Sequence, residues 1–242
     1  MTRRTLLTLA ASPLLRAADP FEDRWRAAVE RLIAAPPETL SFTSSDGLLM
    51  LGLMRLYQRT RYPLYADFVH GWAKHHLAHA PAPQHASNAL AILLLHEARP
   101  HASFDQYVTT SAESANGPGA ASFLARYGMT RRQPGLILRA ARSLRLDPPV
   151  ASELLLRIAD VLEALEPMQP EYEPLAACAQ SVRPTSSDLL SLAAAWKLVR
   201  IQVAPAARAA EALAQWKVVH GQDEPKPSAA YILAAAEAAA TL

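Results

Sequence analysis

Read from Phe21, apolar residues recur at helical spacing in segments of about 11 to 18 residues, each closed by proline or glycine. The closures fall at Pro36-Pro37, Arg61-Tyr62-Pro63, Pro81-Ala82-Pro83, Pro100, Gly117-Pro118, Gly128, Asp147-Pro148-Pro149, Pro167 to Pro170, Arg183-Pro184, Pro205 and Pro225 to Pro227. Proline cannot continue a helix interior but is tolerated in a first turn. The punctuation therefore predicts about twelve helices, or six hairpins. No alternating pattern of the kind strands need appears.

Two helix starts carry nearly the same text. Thr43-Ser44-Ser45-Asp46-Gly47-Leu48-Leu49 recurs as Thr185-Ser186-Ser187-Asp188-Leu189-Leu190. A hydroxyl there accepts an orphan backbone N–H, and an early Asp complements the helix dipole. Leu48, Leu49, Leu51 and Leu56 in one copy, and Leu189, Leu190, Leu192 and Leu198 in the other, then run inward. Such a repeat suits stacked hairpins, each burying its apolar face on a neighbour. Two all-α architectures satisfy it, a closed (α/α)6 toroid-like array or an open solenoid. The absence of a fixed repeat period counts against the solenoid.

Composition narrows the classes further. The chain has 242 residues, 51% hydrophobic and 19% charged, which excludes intrinsic disorder. Only 8 are glycine and 19 are proline, against the tight glycine turns that phosphate-cradling α/β folds need. One cysteine, Cys178, excludes an internal disulfide and a cysteine zinc cluster. It lies in an apolar helical segment, as a structural thiol does. The net charge of +2 predicts no nucleic-acid partner, and the arginines at 131, 132, 139, 142 and 145 read as a solvated helix face. No segment is long and apolar enough to span a membrane.

Residues 1–18 have the layout of an export signal. Arg3-Arg4 precede the apolar run from Leu6 and the small pair Ala17-Ala18, and the paired arginines are twin-arginine-like. Arg16 is out of place at −3 for a cleavage after Ala18. The expectation is an exported protein whose residues 19–242 form a single all-α domain.

The stretch Ser45 to Leu77 resembles the second and third helices of the unsaturated glucuronyl and rhamnogalacturonyl hydrolases. The matching features are the apolar run Leu48 to Tyr57, the turn Thr60-Arg61-Tyr62, then Tyr65 and Trp72. Phe123-Leu124-Ala125-Arg126-Tyr127-Gly128 is similar to another helix of that family. The resemblance covers about half the chain, and most of its residues serve helix packing. It implies an (α/α)6 barrel and removal of an unsaturated uronic sugar from an oligosaccharide by hydration of its double bond, with an aspartate as general acid and base.

The chain departs from that family at the catalytic position. Counting back about eight residues from Phe123 reaches Ala115, flanked by Glu113 and Asn116, and no aspartate is there. The resemblance leaves Asp46 as the catalytic candidate, and Asp46 is equally explained as a helix-start residue. His70, Trp72, His85, Asn88 and Asn116 are the candidate substrate-binding residues, with Trp72 to stack a ring and imidazoles to meet hydroxyls or a carboxylate. Trp72 also suits the core.

Seven of the eight histidines fall between His70 and His101. His75 and His79 share a helix face, but the sequence lacks the interposed glutamate of a zincin, so no metal or cofactor is expected. Glu166, Glu171, Tyr172 and Glu173 stand in a proline-bounded segment that reads as a solvated turn. Two function classes follow. One is an exported carbohydrate-active protein of the uronyl hydrolase type, active or inactive. The other is a non-catalytic helical repeat or toroid protein binding a glycan, peptide or protein partner.

Overall fold

The structure, a computed structural model, describes residues 21–79, 85–146, 150–221 and 228–241. The export segment at 1–18 and the proline turns at 81–83, 148–149 and 225–227 lie outside the described residues. Among the described residues the chain is all-α, with twelve α-helices. They are α1 (Glu22–Ile33), α2 (Ser44–Thr60), α3 (Pro63–His79), α4 (Ala86–Ala98), α5 (Ala102–Ser114) and α6 (Ala121–Thr130). The rest are α7 (Pro134–Ser143), α8 (Ser152–Ala164), α9 (Tyr172–Ser181), α10 (Leu189–Arg200), α11 (Ala207–Gly221) and α12 (Ala229–Thr241). The only extended pairing described is the isolated bridge Thr185–Asp188.

Helices of two kinds alternate. Every residue from Asn88 to Leu95 in α4 is buried, as is every residue from Ser191 to Leu198 in α10 and from Tyr231 to Ala238 in α12. A helix apolar on all sides must be surrounded by protein. In α1, by contrast, burial is confined to Trp25, Ala28 and Val29, one stripe at helical spacing. The contacts follow this division. Helix α2 packs on α4, α4 on α6, α6 on α8, α8 on α10, α10 on α12, and α12 returns to α2. The odd-numbered helices lie against them: α3 on α2 and α4, α5 on α4, α7 on α6, α9 on α8, α11 on α10 and α1 on α12.

Close approach explains two glycines. A Cβ at Gly47 would come within 2.8 Å of Ser87 Oγ on α4, and one at Gly52 within 2.8 Å of Ile232 on α12. Both neighbours of α2 are therefore seated against bare backbone.

Punctuation and structure agree at most ends. Helix α2 stops at Thr60 and α3 begins on Pro63, and Pro100 and Gly117-Pro118 fall between α4, α5 and α6; Pro134, which starts α7, and Pro174, in the first turn of α9, are not among the closures read from the sequence. Gly128 differs. It lies inside α6 rather than ending it, and the chain turns at Arg131 and Arg132, the latter with φ 55°. Its smallness serves packing, since a Cβ there would sit 2.9 Å from Gln133 O and from Ile137 on α7.

The repeated text caps its two helices differently. In α2 the cap is Thr43, whose Oγ1 accepts from Asp46 N at 3.3 Å and donates to Asp46 Oδ2 at 2.8 Å. In α10 the cap is Asp188, which accepts from Ser191 N at 3.3 Å and from the Ser152 hydroxyl.

Candidate functional site

Two cavities lie among the even-numbered helices. The first, about 420 Å³, is lined near the N-terminal ends of α2, α4, α6 and α8 by residues that include His85, Ser111, Asn116, Glu153, Arg157 and Asp160. The second, about 410 Å³, is lined towards their C-terminal ends by Arg59, Arg61, Glu97, Arg126, Glu163 and Arg200, among others. Leu51, Leu90, Ser122 and Asp160 line both, so they form the partition. Either volume is in the range of small-ligand sites.

A closed ring of six charges lines the second cavity, and of its members Asp160 alone also lines the first. Arg55 donates to Asp160 at 2.6 Å and meets Glu237 at 3.5 Å. Lys197 pairs with Asp160 and, at 2.7 Å, with Glu163. Arg200 meets Glu163 at 2.9 Å and Glu237 at 3.2 Å, which closes the circuit. Three cations thus alternate with three anions contributed by α2, α8, α10 and α12. The spacing is helical, because Asp160 and Glu163 are one turn apart on α8, as are Lys197 and Arg200 on α10.

Burial raises the pKa of a carboxyl, yet Arg55 and Lys197 more than offset this at Asp160 and hold it below its ordinary range. Ser122 adds a hydrogen bond to the charged form. Glu163 is likewise pushed up by burial and pulled further down by Lys197 and Arg200. Arg55 and Arg200 lose solvation but are held above the usual arginine value by the carboxylates around them. Asp160 and Glu163 are therefore held in their charged form, which suits structure rather than proton transfer.

The candidate residues from the sequence are divided. His85, at the start of α4, and Asn116 line the N-terminal cavity. Asp46 caps α2 through Thr43 and is not in either lining. Asn88 is buried and donates from Nδ2 to Phe42 O at 3.2 Å. Trp72 has no exposed surface, donates from Nε1 to Ser41 O at 3.1 Å and stacks on Phe42 at 4.8 Å. His70 stands on α3 edge-on to Phe104 at 5.4 Å, away from both cavities.

The other histidines occupy helix ends and turns. His76 bonds Leu40 O at 2.8 Å, and His101 caps α5 by accepting from Ser103 N at 3.3 Å. His96 accepts from His101 N at 3.2 Å. The His79 side chain lies outside the described ones. Among the described residues no three His, Cys, Asp or Glu side chains gather as metal ligands would.

The ring was missed in the sequence, although a signal was there. Arg55, Lys197 and Glu237 each interrupt an otherwise apolar run, and a buried charge demands a partner. Compared with known proteins, the chain matches no protein-family profile, no curated protein and no solved structure.

Proposed function

We propose that the even-numbered helices form the inner ring of an (α/α)6 toroid and that its N-terminal mouth binds a uronyl-type saccharide without turning it over. The sequential contacts from α2 to α12 and back to α2 support the ring, and the odd-numbered helices then form its outer layer. Polar groups around the N-terminal cavity suit a polyhydroxylated ligand: His85, Asn116, Ser111 and Ser114 offer hydrogen bonds, and Arg157 offers a cation to a sugar carboxylate. The export expected from residues 1–18 would bring such a protein to extracellular or periplasmic glycans.

One observation carries the choice of binding over hydration. A general acid needs a pKa near the working pH, and so a carboxyl pushed upward. The carboxylates lining this cavity are Glu153, ion-paired with Arg157, and Asp160, held down by Arg55 and Lys197. Asp46, the catalytic candidate, faces Thr43 instead.

The test is calorimetric titration with an unsaturated uronyl disaccharide, alongside a time course of its double-bond ultraviolet absorbance. Saturable binding with unchanged absorbance is the expected result. Arg157→Gln should weaken binding about tenfold, the worth of one charge-assisted hydrogen bond of about 1.5 kcal/mol. Turnover by the wild type that disappears in Asp46→Asn would overturn the proposal in favour of a hydrolase. Failure to bind would overturn the ligand class.

A further inference from the structure

The second cavity has an unbalanced charge. Six cations line it, Arg55, Arg59, Arg61, Arg126, Lys197 and Arg200, against four anions, Glu97, Asp160, Glu163 and Glu237. The difference is 6 − 4, a net +2 from the same lining residues. Three of the cations belong to the balanced ring. Arg126 is held by Glu97 through Nε at 3.0 Å and a second nitrogen, and Glu97 also accepts from Thr130 Oγ1 at 2.6 Å. The acceptors of Glu97 are thus engaged.

Arg59 and Arg61 remain. Neither guanidinium has a hydrogen-bond or ion-pair partner among the described residues, and Arg59 Nε is buried without an acceptor. The α2 dipole favours a cation in its last turn, where Arg59 stands, but supplies nothing for Nε to donate to. Burial first, and then the Arg200 charge, hold the Arg59 guanidinium below the usual arginine value, with Glu237 and Glu163 offsetting only part of this. An anion beside it would relieve both. Arg61 is set in the left-handed region, φ 58°, a conformation rare for a side-chain-bearing residue, and its guanidinium lies 5.9 Å from the Tyr57 ring centre. That backbone turn carries a second unpaired cation to the same cavity.

We infer that the C-terminal cavity is a binding site for a small dianionic metabolite whose oxyanion groups are held by Arg59 and Arg61. Two guanidinium forks suit an oxyanion that accepts in a plane, as phosphate and carboxylate do. Two negative charges neutralise the excess of two. At about 410 Å³ the cavity has room for more than the anion itself, so the ligand is a phosphomonoester or a dicarboxylate with a body of its own. Because this site and the saccharide mouth share only Leu51, Leu90, Ser122 and Asp160 of their linings, each can fail while the other stands.

Calorimetric titration at low ionic strength tests the inference, with inorganic phosphate, glucose 6-phosphate, succinate and glucose as probes. At least one dianion should bind with a single-site isotherm, and glucose should not compete with it. Tighter binding of the phosphates assigns a phosphomonoester, and tighter binding of succinate assigns a dicarboxylate. Arg59→Gln should weaken the dianion at least tenfold and Arg61→Gln several-fold, while the surface substitution Arg183→Gln leaves it unchanged. Added salt should weaken the dianion in the wild type. Unfolding curves establish that Arg59→Gln is folded, and Arg61→Gln, at an exposed position, gives a second reading that does not depend on it. Absence of binding by every dianion, or equal binding by wild type and both arginine variants, would overturn the site; weak binding unaffected by Arg59→Gln would mark an adventitious ion only.

Discussion

Asp160→Asn opens the charge ring with the smallest change of shape. Asp160 is 7% exposed, and its partners Arg55 and Lys197 are 8% and 4% exposed, so water cannot replace the lost charge. The remaining ring has three cations and two anions. Arg55 keeps Glu237 at 3.5 Å and Lys197 keeps Glu163 at 2.7 Å, which limits the damage to less than a full orphaning. Breaking a buried pair by removing one partner typically costs about 3–5 kcal/mol. For a domain whose total stability is about 5–15 kcal/mol this is a large share. Because both cations keep one anion, the low end applies, and with a urea slope of about 3 kcal/mol per molar the midpoint should fall by about 1 M at pH 7 with the slope unchanged. Arg183→Gln, which breaks a pair 69% and 41% exposed, should move the midpoint by less than about 0.3 M. The paired variant Arg55→Met with Asp160→Leu leaves Lys197, Glu163, Arg200 and Glu237 as a balanced chain, and should recover most of the loss. Equal shifts in Asp160→Asn and Arg183→Gln would refute the buried-ring energetics.

Acid should expose the same ring. Because Asp160 and Glu163 have lowered folded-state pKa values, their contribution is complete above the unfolded carboxylate pKa and is lost as pH falls through the folded values. Wild-type stability should therefore decline below about pH 5, and Asp160→Asn should show a shallower decline in urea midpoints measured across that range. Gly47→Ala should destabilise by about 1–3 kcal/mol in spite of alanine's helix propensity, because its Cβ would meet Ser87 and Asn88. Gly135→Ala, with nothing within 4 Å, should be neutral or stabilise by up to about 1 kcal/mol, and thermal melts of the two compare them directly. Thr43→Ala removes the α2 cap and should cost about 1 kcal/mol, read from its denaturation midpoint.

Helix positions were legible because their cause is local. Pro63 fixes a start through its own ring geometry, wherever the neighbours are. Gly128 misleads because glycine has two uses, ending a helix and admitting a neighbour, and only the seating of α7 decides between them. The repeated Thr-Ser-Ser-Asp text correctly marks two helix starts but not which residue caps. Asp188 is drawn to Ser152 on α8, a contact 36 residues away that no local pattern contains. The candidate site was less legible for the same reason. His85 and Asn116 reach a cavity because turns bring them there, while Trp72, the best stacking candidate by residue type, is covered by Phe42 and the Ser41 carbonyl.

The charge ring links these observations. A wholly apolar interior of alanine and leucine would let helices slide with little change in energy, whereas six mutually satisfied charges accept one register. Arg55 on α2 reaches Asp160 on α8, and Glu237 on α12 reaches both Arg55 and Arg200, so the pairs tie helices that are distant in the chain. The interior holds two cavities of different chemical character, and Asp160 is the one ring member that lines both. Towards the helix N-termini the lining is hydroxyl- and amide-rich, with its carboxylates paired. Towards the C-termini two guanidinium groups lack acceptors. A ligand in the second cavity therefore meets a balanced set of ring charges, and selectivity there must come from the other lining residues. Substitutions at Arg157 and at Arg59 should consequently affect different ligands, and thermodynamic coupling between the two sites should be small unless the ring itself is opened.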